Sequence, residues 1–131
     1  MQVKVLIIII ISFFMLTACD ANVQGEIYPS RITSSQAQQM MAYNENVMIL
    51  DVRSPQEFAE GHIEGAVLLP ANEIEALAPV LILDKDMALL IYCRSGSRSY
   101  HAARTLVELG YTAVYDFGGI LDWEGPVIAL P

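Results

Sequence analysis

The sequence predicts an α/β fold, in which a mostly parallel β-sheet is flanked by helices. Short, nearly continuous apolar runs, such as residues 47–50 and 87–92, are typical of strands that are buried on both faces of a parallel sheet. Segments with helix-capping signals lie between these runs. An alternation of strand and helix signals along one chain indicates the α/β class.

Two capping boxes predict helices in the first half of the domain. Thr33 lies three residues before Gln36, which is the spacing of a capping box. Ser54 and Glu57 repeat this spacing, and Pro55 suits the first helical position. The predicted elements of this half are helices near residues 34–44 and 55–60 and strands at 47–50 and 66–69.

The second half of the chain continues the alternation. Asn72 with Glu75 predicts the start of another helix, and Gly110 predicts the end of a later one. The predicted elements of this half are a helix that begins at Asn72 and carries Ile74, Leu77 and Leu81, a strand at 87–92, a helix at 100–109, a strand at 112–115 and one or two helical turns around 120–124.

Residues 93–99, Cys-Arg-Ser-Gly-Ser-Arg-Ser, join a predicted strand to a predicted helix. The start of a helix carries about half a positive charge and unpaired backbone N–H groups, and a short turn directs further N–H groups inward. Arg94 and Arg98 add two positive charges. These features predict a Cys93 thiol with a lowered pKa, beside donors that hold an oxyanion. The alternative, a buried structural cysteine, would suit apolar neighbours better than arginines and serines.

A second polar segment follows another predicted strand. Ligand sites on open parallel sheets lie at the carboxyl ends of the strands, where both Cys93 and the segment Asp51-Val52-Arg53-Ser54 are expected. Asp51 and Arg53 are therefore candidate supporting residues of the site. Their alternative role is an ion pair that fixes the loop without touching a substrate.

Length and charge exclude several classes of protein. The chain has 131 residues, enough for one domain, and a formal net charge of -8. This acidic balance argues against binding to nucleic acid or to anionic lipid headgroups. We expect no metal site and no cofactor, because two histidines and one free cysteine at unrelated positions do not form a ligand set. His62 and His101 are expected to pack or to lie at the surface.

The N-terminus predicts a secretory signal peptide over residues 1–18. Lys4 precedes an apolar run at 5–16, which is shorter than the roughly 20 residues that span a bilayer. The residues Leu16-Thr17-Ala18-Cys19 resemble a bacterial lipobox, in which the cysteine is lipidated, for example with palmitate, and begins the mature chain. An uncleaved anchor and an ordinary signal peptide are the alternatives.

This interpretation predicts a lipoprotein of the bacterial cell envelope. Residues 19–30 would contain the lipidated Cys19 and a polar spacer, and residues 31–131 the folded domain. Asp20 resembles the signal that retains Gram-negative lipoproteins at the inner membrane, which would place the domain on the periplasmic face. Cys93 is then the single free thiol, which excludes a Cys-x-x-Cys disulfide cycle and leaves covalent chemistry on one sulfur.

Four motifs, in the same order along the chain, resemble those of a single-domain rhodanese, a thiosulfate sulfurtransferase, over residues 32–127. One departure is Glu64, where that family usually has proline. The motifs are Leu50-Asp51-Val52-Arg53-Ser54-Pro55-Gln56-Glu57-Phe58, Glu60-Gly61-His62-Ile63-Glu64-Gly65-Ala66, the loop of residues 93–98, and Phe117-Gly118-Gly119-Ile120-Leu121-Asp122-Trp123.

The resemblance implies a rhodanese-like fold and an enzyme that transfers sulfur through a persulfide on Cys93. Sulfurtransferases of this type have a Cys-x-x-x-x-Arg loop, as Cys93 and Arg98 do here, whereas related phosphatases commonly have one residue more. The implied reactants are a small sulfur donor such as thiosulfate and a thiol or cyanide acceptor. The implied substrate-binding residues are Arg94, Ser95, Gly96, Ser97 and Arg98.

Other functions stay open at this point. A persulfide relay to a specific envelope protein shares the first half of the reaction, and a non-catalytic rhodanese module would bind a partner through the same pocket. Non-catalytic modules usually lose the cysteine, which this chain retains. A cysteine-dependent phosphatase is the remaining alternative, and the sequence identifies no protein partner.

Overall fold

The computed structural model describes residues 28–131, which form a parallel five-stranded sheet with helices on both faces. The strand order in this sheet is β1-β6-β5-β2-β4, and every pairing within it is parallel. This confirms the predicted α/β class. The strands are β1 (Ser30–Arg31), β2 (Val47–Asp51), β3 (His62–Ile63), β4 (Val67–Leu68), β5 (Ala88–Cys93), β6 (Val114–Gly119) and β7 (Val127–Ile128).

Within residues 28–131, four α-helices connect the strands, and β3 pairs antiparallel with β7 outside the main sheet. The helices are α1 (Ser34–Tyr43), α2 (Pro55–Glu60), α3 (Ile74–Leu81) and α4 (Ser97–Glu108), with 3₁₀ turns at Ala71–Glu73 and Ile120–Asp122. The short strands β1, β3 and β7 were not predicted, because their two residues show no periodic pattern of their own. The equally short β4 was predicted because it lies within the apolar run of residues 66–69.

The core lies on both faces of β5, every residue of which is buried. Side chains of a strand point alternately to opposite faces. Leu89, Ile91 and Cys93 therefore belong to the cluster that packs against α3 and α4. Leu90 and Tyr92 belong to the cluster on the side of α1. The thiol is thus on the face covered by α4, the helix that follows it.

Both predicted capping boxes are present. The Thr33 hydroxyl accepts from the Gln36 N–H at 3.1 Å, and the Gln36 side chain accepts from the Thr33 N–H at 2.8 Å. Ser54 and Glu57 make the same reciprocal pair at the start of α2. Each box satisfies two N–H groups that the helix itself leaves unpaired, which explains why local sequence located these starts correctly.

Several predicted boundaries differ from the structure by one or two residues, and three differ in a way that bears on the site. Helix α4 begins at Ser97 rather than at Tyr100, because Gly96, with a φ of 102°, closes the turn immediately before it. Strand β6 runs to Gly119 rather than ending at residue 115, because pairing with β1 and β5 holds residues without an apolar pattern in the sheet. Asn72 caps no helix, since it lies within a 3₁₀ turn.

The predicted N-terminal features lie outside the described residues. This applies to the signal peptide of residues 1–18, to the lipidation site Cys19 and to most of the spacer at 19–30. In residues 28–131, no helix combines the length and apolarity needed to cross a bilayer.

Candidate active site

The turn from β5 into α4 places Cys93 at the carboxyl edge of the central strand. Gly96 lies against β6, and a Cβ atom on it would be 3.4 Å from the Cα of Gly118 in a left-handed conformation that other residues disfavour. A Cβ atom on Gly119 would overlap the carbonyl oxygen of Arg94. Glycines at these positions let the loop pack closely against β6. This close packing keeps the Cys93 side chain buried beneath the loop.

The Cys93 thiol is buried and surrounded by hydrogen-bond donors. The Gly96 N–H donates to its Sγ at 3.0 Å, and the Ser99 hydroxyl lies 3.6 Å from the same sulfur. Burial raises the pKa of Cys93, but hydrogen bonds from Ser99, Gly96 and Ser95 lower it, and the net pKa lies below the ordinary value. The donors that stabilise a thiolate are therefore groups of the loop and of the first turn of α4.

Ser99 has a second role beneath the loop. Its hydroxyl oxygen lies 3.1 Å from the carbonyl oxygen of Gly96 and 3.2 Å from that of Gly118, and these two acceptors share its single proton. It thus ties the first turn of α4 to β6 while facing the thiol. Ser95 and Ser97 have exposed side chains, and neither hydroxyl makes a hydrogen bond to any residue from 28 to 131.

The two predicted arginines of the loop have different environments. Arg94 is exposed beside the thiol loop, and its side chain makes no ion pair with the described residues. The guanidinium of Arg98 instead donates to both carboxylate oxygens of Glu57, at 2.7 and 2.8 Å. This pair lowers the pKa of Glu57 to about 2, with the Arg98 hydrogen bond as the largest cause.

Asp51 and Arg53 form a buried ion pair. The Arg53 guanidinium donates to both carboxylate oxygens of Asp51, the shortest contact being 2.6 Å, and to the carbonyl oxygen of Gly61 at 2.7 Å. The Tyr92 hydroxyl donates to Asp51 at 2.6 Å and accepts from the Ile63 N–H at 3.1 Å. The ion pair considered as one role for these residues is therefore present, while Arg53 also lines the cleft beside the loop.

A cleft of about 240 Å³ opens next to the thiol loop. Its cations are Arg94, which has no acidic partner among the described residues, and Arg53, which is held by Asp51. The cleft is lined by Arg53, Glu57, Glu60, Gly61, Arg94, Ile120 and Leu121. A small anion that enters the cleft meets Arg94, the residue that directly follows Cys93 in the sequence.

Neither histidine is bonded to the thiol. The His62 ring stacks on Phe58 with centroids 3.7 Å apart, and its Nδ1 contacts the Phe58 carbonyl oxygen at 2.8 Å. His101 is exposed on α4. Among residues 28–131, no three side chains of histidine, cysteine, aspartate or glutamate cluster as metal ligands.

Sequence reasoning missed the contact between Glu57 and the thiol loop. It assigned Glu57 to the capping box alone, although one carboxylate has enough acceptor sites for both contacts. A usable signal was present, since Glu57 follows a strand whose carboxyl end lies at the same edge as Cys93. This signal did not predict that the partner of Glu57 is Arg98, which lies 41 residues further along the chain.

Comparison with known proteins relates both the fold and the loop to one family. A model of the rhodanese-like domain matches residues 33–125. A sulfurtransferase of Allochromatium vinosum is 39% identical over 106 residues, covering 76% of this chain and 95% of the relative. Thiosulfate sulfurtransferase PspE of Escherichia coli is 34% identical over 79 residues, covering 60% of this chain and 76% of the relative.

The fold is similar to that of solved structures from the same family. A structure described as a rhodanese with anions, from Escherichia coli, superposes with a TM-score of 0.60 at 31% identity. The match covers 63% of this chain and 98% of that one.

Proposed function

This chain belongs to the rhodanese-like family, and from that premise we propose that it is a sulfurtransferase that carries sulfane sulfur as a persulfide on Cys93. The observation that carries the proposal is the buried Cys93 sulfur, which accepts the Gly96 N–H at 3.0 Å and faces the Ser99 hydroxyl. Backbone donors arranged in this way stabilise a negatively charged sulfur before and after it is loaded. The sulfurtransferases among its relatives support the same reaction class.

We propose thiosulfate, or a donor of the same chemistry, as the source of sulfur. The Cys93 thiolate attacks the outer sulfur, the sulfur–sulfur bond of the donor breaks, and sulfite leaves with the electron pair. The exposed Arg94 guanidinium would contact the sulfonate in the cleft, with the N–H groups of Ser95, Gly96 and Ser99 around the sulfur. The thiosulfate sulfurtransferase at 34% identity and the related structure with anions support this donor.

The second half of the reaction returns the thiolate. An acceptor thiolate or cyanide attacks the terminal sulfur of the Cys93 persulfide. The terminal sulfur is thereby transferred, and the product is an acceptor persulfide or thiocyanate. The sulfur–sulfur bond to Cys93 breaks, and its electron pair stays on Cys93. No general base is needed once the thiol is ionised, and the hydrogen bonds that lower the pKa of Cys93 favour that ionisation.

For its location, we propose that lipid on Cys19 attaches the protein to a membrane of the bacterial envelope. The support is the sequence Leu16-Thr17-Ala18-Cys19 behind a basic and then apolar N-terminus. A persulfide relay to an envelope protein remains the second candidate, because it uses the same loaded Cys93 and differs in the acceptor.

The test of the proposal is mass spectrometry of the purified protein after treatment with thiosulfate. We expect one added sulfur atom on the Cys93 peptide and its loss on addition of cyanide. Cys93→Ser should gain no sulfur and should form thiocyanate at the background rate, because a serine hydroxyl is not ionised near neutral pH. Efficient hydrolysis of an aryl phosphate by the wild type, without a persulfide, would instead identify a phosphatase.

A further inference from the structure

The Glu57 carboxylate joins two elements of the site. Its Oε2 accepts the Ser54 N–H at 3.0 Å, which completes the capping box of α2. The same oxygen accepts one Nη of Arg98 at 2.7 Å, and Oε1 accepts the other at 2.8 Å. One side chain therefore connects the start of α2 to the first turn of α4.

Arg98 lies next to the groups that surround the thiol. Ser99, which follows it in the chain, faces Sγ and bonds to the Gly96 carbonyl oxygen, and the Gly96 N–H donates to Sγ. A bidentate pair fixes the plane as well as the position of a guanidinium. The Glu57 contact therefore restrains the turn that supplies the donors to Cys93.

The contact between Glu57 and Arg98 is also fixed on the side of α2. Ser54 directly follows Arg53, whose guanidinium is held by buried Asp51 and by the Gly61 carbonyl oxygen. Contacts thus run without a break from the end of β2, through the capping box, to the first turn of α4. We propose that Glu57 is a positioning residue, which holds Arg98 so that the N–H groups of the thiol loop stay directed at the Cys93 sulfur.

Neutralisation of charge is the competing role for Glu57, and it has the opposite consequence. If Glu57 only masked Arg98, its removal would expose a cation near Cys93 and favour the thiolate. If Glu57 positions the turn, its removal misplaces the donors and disfavours the thiolate. The charged side chains on the elements around the loop are Arg31 of β1, Asp51 and Arg53 at the end of β2, Glu57 and Glu60 of α2, Arg94 of the loop, Arg98, Arg104 and Glu108 of α4, Asp116 of β6 and Asp122 of the following 3₁₀ turn. The other titratable side chains on these elements are Tyr92 of β5, Tyr100 and His101 of α4 and Tyr115 of β6.

The experiment measures the pH dependence of Cys93 alkylation by iodoacetamide in the full chain. Quantifying the Cys93 peptide by mass spectrometry separates it from Cys19. Glu57→Ala should move the midpoint to higher pH and slow alkylation near neutral pH by roughly tenfold, since one pKa unit is a tenfold change in thiolate fraction. Arg98→Ala should act in the same direction, and the double variant should add little to the larger single effect.

Two further variants make the outcome decisive. Glu57→Gln keeps an acceptor for the capping box and for Arg98, so we expect a smaller shift, still to higher pH. Glu108→Ala is the matched control, because it removes an exposed carboxylate of α4 that pairs with Arg104 and not with the loop. Its alkylation profile should match that of the wild type. If Glu57→Ala fails to fold, Glu57→Gln decides the question alone.

An unchanged midpoint in the Glu57 variants, or a midpoint moved to lower pH, would overturn the proposal. The inference rests on the proposed function in that it assumes Cys93 to be the nucleophile. Its readout is nevertheless independent, because alkylation needs no sulfur donor or acceptor. Absence of a persulfide after thiosulfate treatment would refute the sulfurtransferase reaction, while the alkylation profiles would still test Glu57.

Discussion

The lowered pKa of Cys93 comes from hydrogen bonds of its own loop and of the first turn of α4. Its Sγ accepts the Gly96 N–H and faces the Ser99 hydroxyl, and these groups outweigh the burial that raises the pKa of the thiol. The arginine charges that the sequence analysis considered are placed differently, since the Arg98 guanidinium is bound by Glu57. Arg94 is left as the exposed cation of the cleft.

Loss of Arg94 should therefore weaken the use of thiosulfate. In Arg94→Ala we expect kcat/KM to fall by about tenfold, which corresponds to about 1.4 kcal/mol for one partly solvated charge-assisted hydrogen bond. Steady-state thiocyanate formation measures this. Arg104→Ala is the matched control, because Arg104 is an exposed arginine of α4 that pairs with Glu108. Equal kcat/KM values in the two variants would remove Arg94 from donor binding.

The pair between Glu57 and Arg98 should also make stability depend on pH. The pKa of Glu57 falls from an ordinary 4.5 to about 2 in the folded protein. A carboxyl group with a lowered folded pKa stabilises the fold above its unfolded pKa, and this contribution is lost as the pH falls from about 4.5 towards about 2. Urea denaturation across this range should show a shallower fall in Glu57→Gln than in the wild type. Parallel curves would contradict this expectation.

At the scale of elements, the site depends on how the end of β2 is tied to its neighbours. Asp51 accepts hydrogen bonds from Arg53 and from Tyr92 of β5, and Tyr92 in turn holds the Ile63 N–H of β3. Burial and the hydrogen bond to Asp51 raise the pKa of Tyr92, so its hydroxyl stays protonated and remains a donor. This network links β2, β5 and β3 beneath the cleft.

Removing one partner of this network should destabilise the domain strongly. Arg53→Met leaves the Asp51 carboxylate buried without its cation, and we expect a loss of about 3 to 5 kcal/mol in the free energy of unfolding. Urea denaturation near neutral pH measures this loss. Arg104→Met, in an exposed pair of α4, should cost less than about 1 kcal/mol. A similarly small loss in Arg53→Met would show that the ion pair contributes little to stability.

At the scale of the whole molecule, the distribution of charge separates the site from the rest of the surface. The net charge is -8, yet Arg31, Arg53, Arg94 and Arg98 all lie at the carboxyl edge of the sheet. Arg53 and Arg98 are held by carboxylates, and Arg31 lies 3.8 Å from Asp116. Arg94 is therefore the one arginine of this edge without a carboxylate partner among the described residues.

The proposed membrane attachment is tested by labelling. Palmitate should enter the wild-type protein in bacteria, and the lipidated Cys19, which needs more than one acyl chain for stable anchoring, should keep it in the membrane fraction. Cys19→Ser removes the lipidation site and should lose both the label and the retention. Cys93→Ser is the matched control and should keep both. Retention of Cys19→Ser in membranes after a carbonate wash would argue for an uncleaved anchor instead.

Short-range sequence signals were sufficient for the framework of this protein. Apolar runs and capping boxes located the main strands and the starts of α1 and α2, because each signal lies within a few residues. The placement of Cys93 between a strand and a helix follows from the same local reasoning. The α/β class was therefore predictable before any contact between distant residues was known.

The tertiary structure decided which side chains meet at the site. Arg98 and Glu57 are 41 residues apart, as are Tyr92 and Asp51, and neither pairing has a local signature. Sequence patterns identify a charged residue but not the partner that it finds, because that choice depends on how the strands are ordered in the sheet. The same limit explains why β1, β3 and β7 were missed, since two-residue strands are held by their neighbours in space rather than by their own sequence.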